Sequence, residues 1–116
     1  MKLRYDGLYI SNAGYFSFGN LRYDCLRFYE DGLVLSATFD ENATPHEVSK
    51  WFHRDNPNQY KGSFDISGRR QDGIHCRFER AHYLGEIKDD RLILKLYTSD
   101  EWYRKDDIEE FIFVAF

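Results

Sequence analysis

The chain has 116 residues, 16 basic and 20 acidic, with a net charge of −4 at pH 7. That length is one domain, residues 1–116, able to bury roughly 60–70% of the surface its unfolded form exposes. The acidic balance gives no general attraction to phosphate backbones, so nucleic acid is not an expected partner.

Ten Phe, nine Tyr and two Trp against only two Pro favour strands, because rings pack well on a pleated surface. A first strand is predicted over 7–11, ending at the turn Asn12-Ala13-Gly14. After an irregular piece, GYFSFGN, alternation predicts a strand over 21–29, the turn Glu30-Asp31-Gly32 and a returning strand over 33–39. Thr44-Pro45-His46-Glu47 is a capping box with Pro at the first helical position, and Val48, Trp51 and Phe52 form one apolar stripe. A helix over about 44–54 follows, stopped by Asn56-Pro57. Strands are then predicted over 59–67, 74–80, 83–88, 92–98 and 108–116, with turns at Gln71-Asp72-Gly73 and Lys88-Asp89-Asp90-Arg91. An acidic loop with Asp100, Glu101, Asp106 and Asp107 precedes the last strand.

Eight strands joined by short sequential turns make an antiparallel up-and-down meander. Closing it into a barrel removes its unpaired edges and covers its apolar face together. The predicted fold is therefore all-β: an eight-stranded up-and-down barrel with the short helix across an opening. A flatter sheet covered by the helix and loops is the competing architecture. Eight strands enclose a space that side chains fill or that holds one small ligand.

The segment Tyr5-Asp6-Gly7-Leu8-Tyr9-Ile10-Ser11 resembles the first strand of the calycin, or lipocalin-like, barrels, with Tyr9 where their Gly-x-Trp signature has Trp. LRFYEDGLVL (26–35) and GEIKDDRLILKLY (85–97) are similar to strand–turn–strand units of intracellular lipocalin-like domains. One such domain lies toward the C-terminal end of a family of F-box-only proteins that act as ubiquitin-ligase adaptors. The chain shows no F-box, so the resemblance implies the barrel and the binding of a small apolar molecule or a protein, not ubiquitin ligation.

No constellation meets the needs of catalysis, and no catalytic residue, metal site or cofactor is expected. His46 and His53 are seven apart on the helix, and Lys50 stands where a zinc helix of HExxH type would carry its second His. Alternation sets Cys76 on the face opposite His75, so His75, Cys76 and His82 do not converge on one ion. The same alternation separates Cys25 from Cys76 as disulfide partners. Gly14 and Gly19 lack the Gly-Lys-Ser/Thr ending of a phosphate loop. Asp106-Asp107 and Glu109-Glu110 read as a solvated charge run.

A break in alternation is more informative. Arg22 and Asp24 share the inward parity of Leu26 and Phe28, and Arg80 that of Ile74, Cys76 and Phe78. Inward charges at strand ends can anchor a ligand's polar end, an Arg suiting a carboxylate. Tyr60, Phe64, Phe78, Tyr83, Phe111 and Phe113 form an inward aromatic row that fills the barrel or lines a cavity.

The leading expectation is a non-catalytic binding protein holding a small apolar or amphipathic molecule. Its ligand-binding residues would be Arg22, Asp24, Phe28, Trp51, Phe52, Tyr60, Phe64, Phe78, Arg80 and Tyr83, with Trp51 and Phe52 covering the mouth. The alternative is a protein-interaction module or homodimer using Tyr29, Trp102 and Tyr103 beside the acidic loop. A membrane partner is not expected: no segment nears ~18 consecutive apolar residues, and no signal-peptide run follows MKLR. The expected location is cytoplasmic, with both cysteines reduced.

Overall fold

A computed structural model of the chain describes residues 3–15, 21–40, 44–57, 60–79, 81–98 and 108–116. The strands are β1 (Gly7–Tyr15), β2 (Leu21–Phe28), β3 (Leu33–Asp40), β4 (Tyr60–Ser67), β5 (Gly73–Arg77), β6 (Ala81–Lys88), β7 (Arg91–Thr98) and β8 (Ile108–Ala115). One short helix, α1 (Pro45–Ser49), sits between β3 and β4. Each strand pairs antiparallel with the next, and β1 pairs with β8 from Gly7↔Ala115 to Ser11↔Phe111, closing the barrel. The meander is thus closed rather than flat.

Local chemistry explains the corners. Gly32, in the β2–β3 turn, has φ 93°, a conformation that costs a side chain but not glycine. Tyr29 closes that turn by donating its N–H to Leu33 O at 2.9 Å. At Gly85 a Cβ would meet Ile93 O at 1.8 Å, so the close approach of β6 to β7 requires glycine there. Asn12-Ala13-Gly14 is not the end of the first strand. β1 continues to Tyr15, with a register shift between Asn12 and Gly14 against β2. A bulge of this kind bends a strand without terminating it.

Two apolar clusters form on opposite sides of the wall. The inner one contains Tyr9, Leu26, Phe28, Val34, Phe64, Ile74, Cys76, Tyr83, Ile87, Leu92, Leu94 and Phe111. It is plugged at one end by the segment before β1. Leu3 is buried in the cluster, and the Arg4 N–H donates to the Tyr9 hydroxyl at 3.0 Å. The Arg4 guanidinium lies 4.0 Å from the Phe113 ring centroid and 3.7 Å from Asp90 in the β6–β7 turn. The outer cluster joins Leu8, Cys25, Leu35 and Phe39, the other faces of β1–β3, to Val48 and Phe52.

The helix therefore lies against the outside of the β1–β3 wall, which corrects the expectation that it crosses an opening. Its five residues begin as predicted, with the Glu47 N–H donating to Thr44 Oγ1 at 3.2 Å. Turns rather than helix carry the chain on through Trp51 and Phe52. The physical reason for the seat is that β1–β3 are apolar on both faces. Leu8, Cys25 and Leu35 need cover, and Val48 and Phe52 supply it. Arg27 Nη1 fastens this cover by donating to Phe52 O at 2.7 Å. The two cysteines, one in each cluster, are both unbridged.

Candidate ligand-binding cavity

The inward rows change character toward the end of the barrel away from Leu3. Near the plug they carry Leu26, Leu92, Ile87 and Ile74, which are buried together in the inner cluster. Toward the other end smaller side chains enter: Ser36 on β3 and Ala81 on β6. Small side chains leave space, and a cavity of about 420 Å³ opens there. It is lined by Ser36, Tyr60, Phe78, Glu79, Ala81, Tyr83 and Leu96. This lies within the size range of pockets for small molecules, roughly 300–1,000 Å³.

The lining has a floor, a wall and a rim. Tyr83 is 6% exposed and packs edge-on to Phe111, centroids 5.8 Å apart, and to Phe78 at 6.3 Å. The Phe78 ring passes over Gly62, where an added Cβ would stand 2.8 Å from it. Leu96 and Ala81 add apolar wall. Tyr60 stands at the rim, 75% exposed, opposite Ser36 in the β3–β4 register.

Polar groups gather on the side formed by β1, β2, β3 and β8. Ser11, 2% exposed, donates its hydroxyl to Glu109 Oε2 at 3.1 Å. Thr38 donates to Asp24 Oδ1 at 2.9 Å. Burial pushes the Tyr83 hydroxyl far above its ordinary value, and the negative charges of Asp24 and Glu109 push it further. The phenol thus stays protonated and able to donate. Its response to Asp24 and Glu109 ties the polar side to the cavity electrostatically. Asp24, Glu79 and Glu109 thus place three carboxylates at or beside this end.

Of the residues singled out in the sequence, Tyr60, Phe78 and Tyr83 meet at the cavity. Phe28 and Phe64 lie deeper, edge to face at 5.0 Å, and belong to the packed interior. Asp24 sits at the polar side. Phe52 is fully buried in the outer cluster, and Trp51 packs edge-on against Phe39, centroids 4.5 Å apart. Neither covers a mouth, because Phe39 shares the outward face of β3 with Leu35. Arg22 is described only as a strand position opposite Gly14 and Asp40. Arg80, Trp102, Tyr103, the acidic loop and the stretch 16–20 lie outside the described residues. Tyr29 is half-buried, and its hydroxyl accepts from the Arg54 N–H at 3.1 Å.

Ser36, Glu79, Ala81 and Leu96 were not anticipated. Parity with Val34, Tyr83 and Leu94 carries the signal for Ser36, Ala81 and Leu96. Small inward side chains, and not only large rings, mark where a barrel has room. Among the described residues no three His, Cys, Asp or Glu side chains converge as metal ligands. Cys76, next to the cavity floor, is fully buried, with its thiol pushed up to about 12, so it is no thiolate nucleophile at neutral pH.

No protein-family model, curated protein or solved structure matches this chain at a significant level.

Proposed function

We propose that the protein is a non-catalytic, lipocalin-like binding protein that takes a small apolar or amphipathic molecule into the open end of its barrel. The observation that carries this reading is the cavity itself, walled by Phe78, Leu96 and Ala81 and supplied with hydroxyls by Ser36, Tyr60 and Tyr83. An apolar pocket with a few convergent polar groups is the arrangement that binds and orients small ligands. Kinship with the lipocalin-like barrels is supported by the closed eight-stranded meander and by Gly7-x-Tyr9, whose Tyr9 is fully buried next to the plug. A cytoplasmic site of action belongs to the same proposal. Among the described residues no helix is long and apolar enough to cross a membrane.

Native mass spectrometry of the protein purified from cells, with denaturing extraction of whatever it carries, tests the reading. A co-purifying molecule near one per chain supports it and names the ligand class. A bare chain that also takes up no alkyl probe counts against it.

A second reading, a protein-interaction module, is favoured by apolar side chains on the outer wall of β6–β8. Leu84, Tyr97, Ile108 and Ile112 are 39–65% exposed there. Light scattering of the wild type and of Ile112→Lys separates the readings. A dimer abolished by the substitution supports the module, and a monomer in both cases counts against a homodimeric form.

A further inference from the structure

On the outer wall, away from the cavity, β5 and β6 bring two histidines together. Cys76 and Tyr83 pair across these strands and face inward, so His75 and His82 face outward as diagonal neighbours. His75 Nε2 and His82 Nδ1 are 2.9 Å apart, with ring centroids 5.1 Å apart. Two nitrogens bound to one ion at ~2.0–2.1 Å and at right angles stand ~2.9 Å from each other. That spacing matches a shared proton and also a shared metal ion. We propose that His75 and His82 form a two-imidazole site for a divalent late first-row transition-metal ion, of the kind nitrogen ligands hold most strongly as Cu²⁺.

The surroundings of His75 suit a neutral ligand. Both rings are half-buried. Burial, the Arg77 charge and His82 lower the affinity of His75 for a proton, against a smaller opposing effect of Asp65. Asp65, opposite His75 on β4, is ion-paired with Arg77. From β7, the Tyr97 ring lies 5.2 Å from that of His82, with the Lys95 ammonium 5.3 Å from the Tyr97 centroid. These contacts pack the His82 ring against β7. In the neutral pair one proton lies between the two nitrogens. When the ion binds, that proton moves to the other nitrogen of the same ring, a tautomeric shift with no net release. A modest turn of both rings then aims both lone pairs at the ion. Among the described residues no third side chain completes the set. The remaining positions face solvent and are open to water or an added ligand.

The test is titration of the whole chain with Cu²⁺ at neutral pH, followed by electron paramagnetic resonance and calorimetry, with Mg²⁺ as the comparison ion. The proposal expects one Cu²⁺ per chain with two coordinated nitrogens, and no Mg²⁺ uptake. His75→Ala and His82→Ala should each weaken binding by more than the ~10–100-fold that loss of an outer-shell partner costs. His46→Ala, on the helix, should leave it unchanged. Circular dichroism of each variant confirms that the barrel is intact, and His82→Gln serves if His82→Ala does not fold. Absence of Cu²⁺ binding, or affinity and nitrogen count unchanged in both His75→Ala and the His82 variant, overturns the proposal.

Discussion

The Ser11 hydroxyl donates to Glu109 Oε2 at 3.1 Å, joining the first strand to the last inside the closed barrel. Ser11 is 2% exposed, and its partner is a carboxylate that also bears on the Tyr83 hydroxyl. A hydrogen bond to a charged group contributes about 1.5–3 kcal/mol, and its loss here weakens the β1–β8 seam directly. Ser11→Ala should lower the unfolding free energy by that amount, read as a lower urea midpoint with an unchanged slope, since the surface exposed on unfolding stays the same. An unaltered midpoint would show that the seam does not depend on this contact.

The outer cluster stabilises the barrel without lining its cavity. Phe52 is fully buried among Leu8, Cys25, Leu35, Phe39 and Val48. Phe52→Ala should therefore cost about 3–5 kcal/mol in equilibrium unfolding. Because the ring is on the far side of the wall from Phe78 and Leu96, the affinity for an alkyl probe should stay within about twofold of wild type under folding conditions. A large loss of affinity in the folded variant would place Phe52 at the mouth after all.

The two thiols make stability fall at alkaline pH. Burial pushes Cys25 and Cys76 from 9.0 up to about 12, with a neighbouring charge, Asp24, adding to the shift at Cys25. Folding favours the neutral thiols, so the unfolded chain gives up these protons first as pH rises. Their contribution is complete below pH 9.0 and is lost progressively toward pH 12. Tyr83 shifts in the same direction. The urea midpoint should decline over this range, and Cys25→Ala combined with Cys76→Ala should flatten the decline. A thiol reagent at pH ~8 should label neither cysteine in the native chain and both after unfolding.

The strands were legible because short turns and alternation mark them, and the closed topology followed from eight sequential strands with no long crossover. The helix start was legible in its capping box. Its seat was not, although a signal existed. Leu33-Val34-Leu35 is apolar at three successive positions, the mark of a strand buried on both faces. Val34 went to the barrel interior, and Leu35 required the helix outside. The Asn12-Ala13-Gly14 bulge and a turn share the same residue types, so composition alone could not separate them. At the cavity, the rings Phe78 and Tyr83 stood out, but the space beside them depends on Ser36 and Ala81. The His75–His82 pair required the β5–β6 register, which parity does not supply.

The most direct test of the binding account is methyl NMR of the chain titrated with decanol, decylamine and decanoate, three probes sharing one tail. Uptake into the barrel should give saturable shifts at the Ala81 and Leu96 methyls, with Val48 and Leu35 on the outer wall unmoved. The order of the three affinities would then report the charge that the cavity end prefers. No saturable shift with any probe, or shifts confined to Val48 and Leu35, would contradict a ligand site inside the barrel.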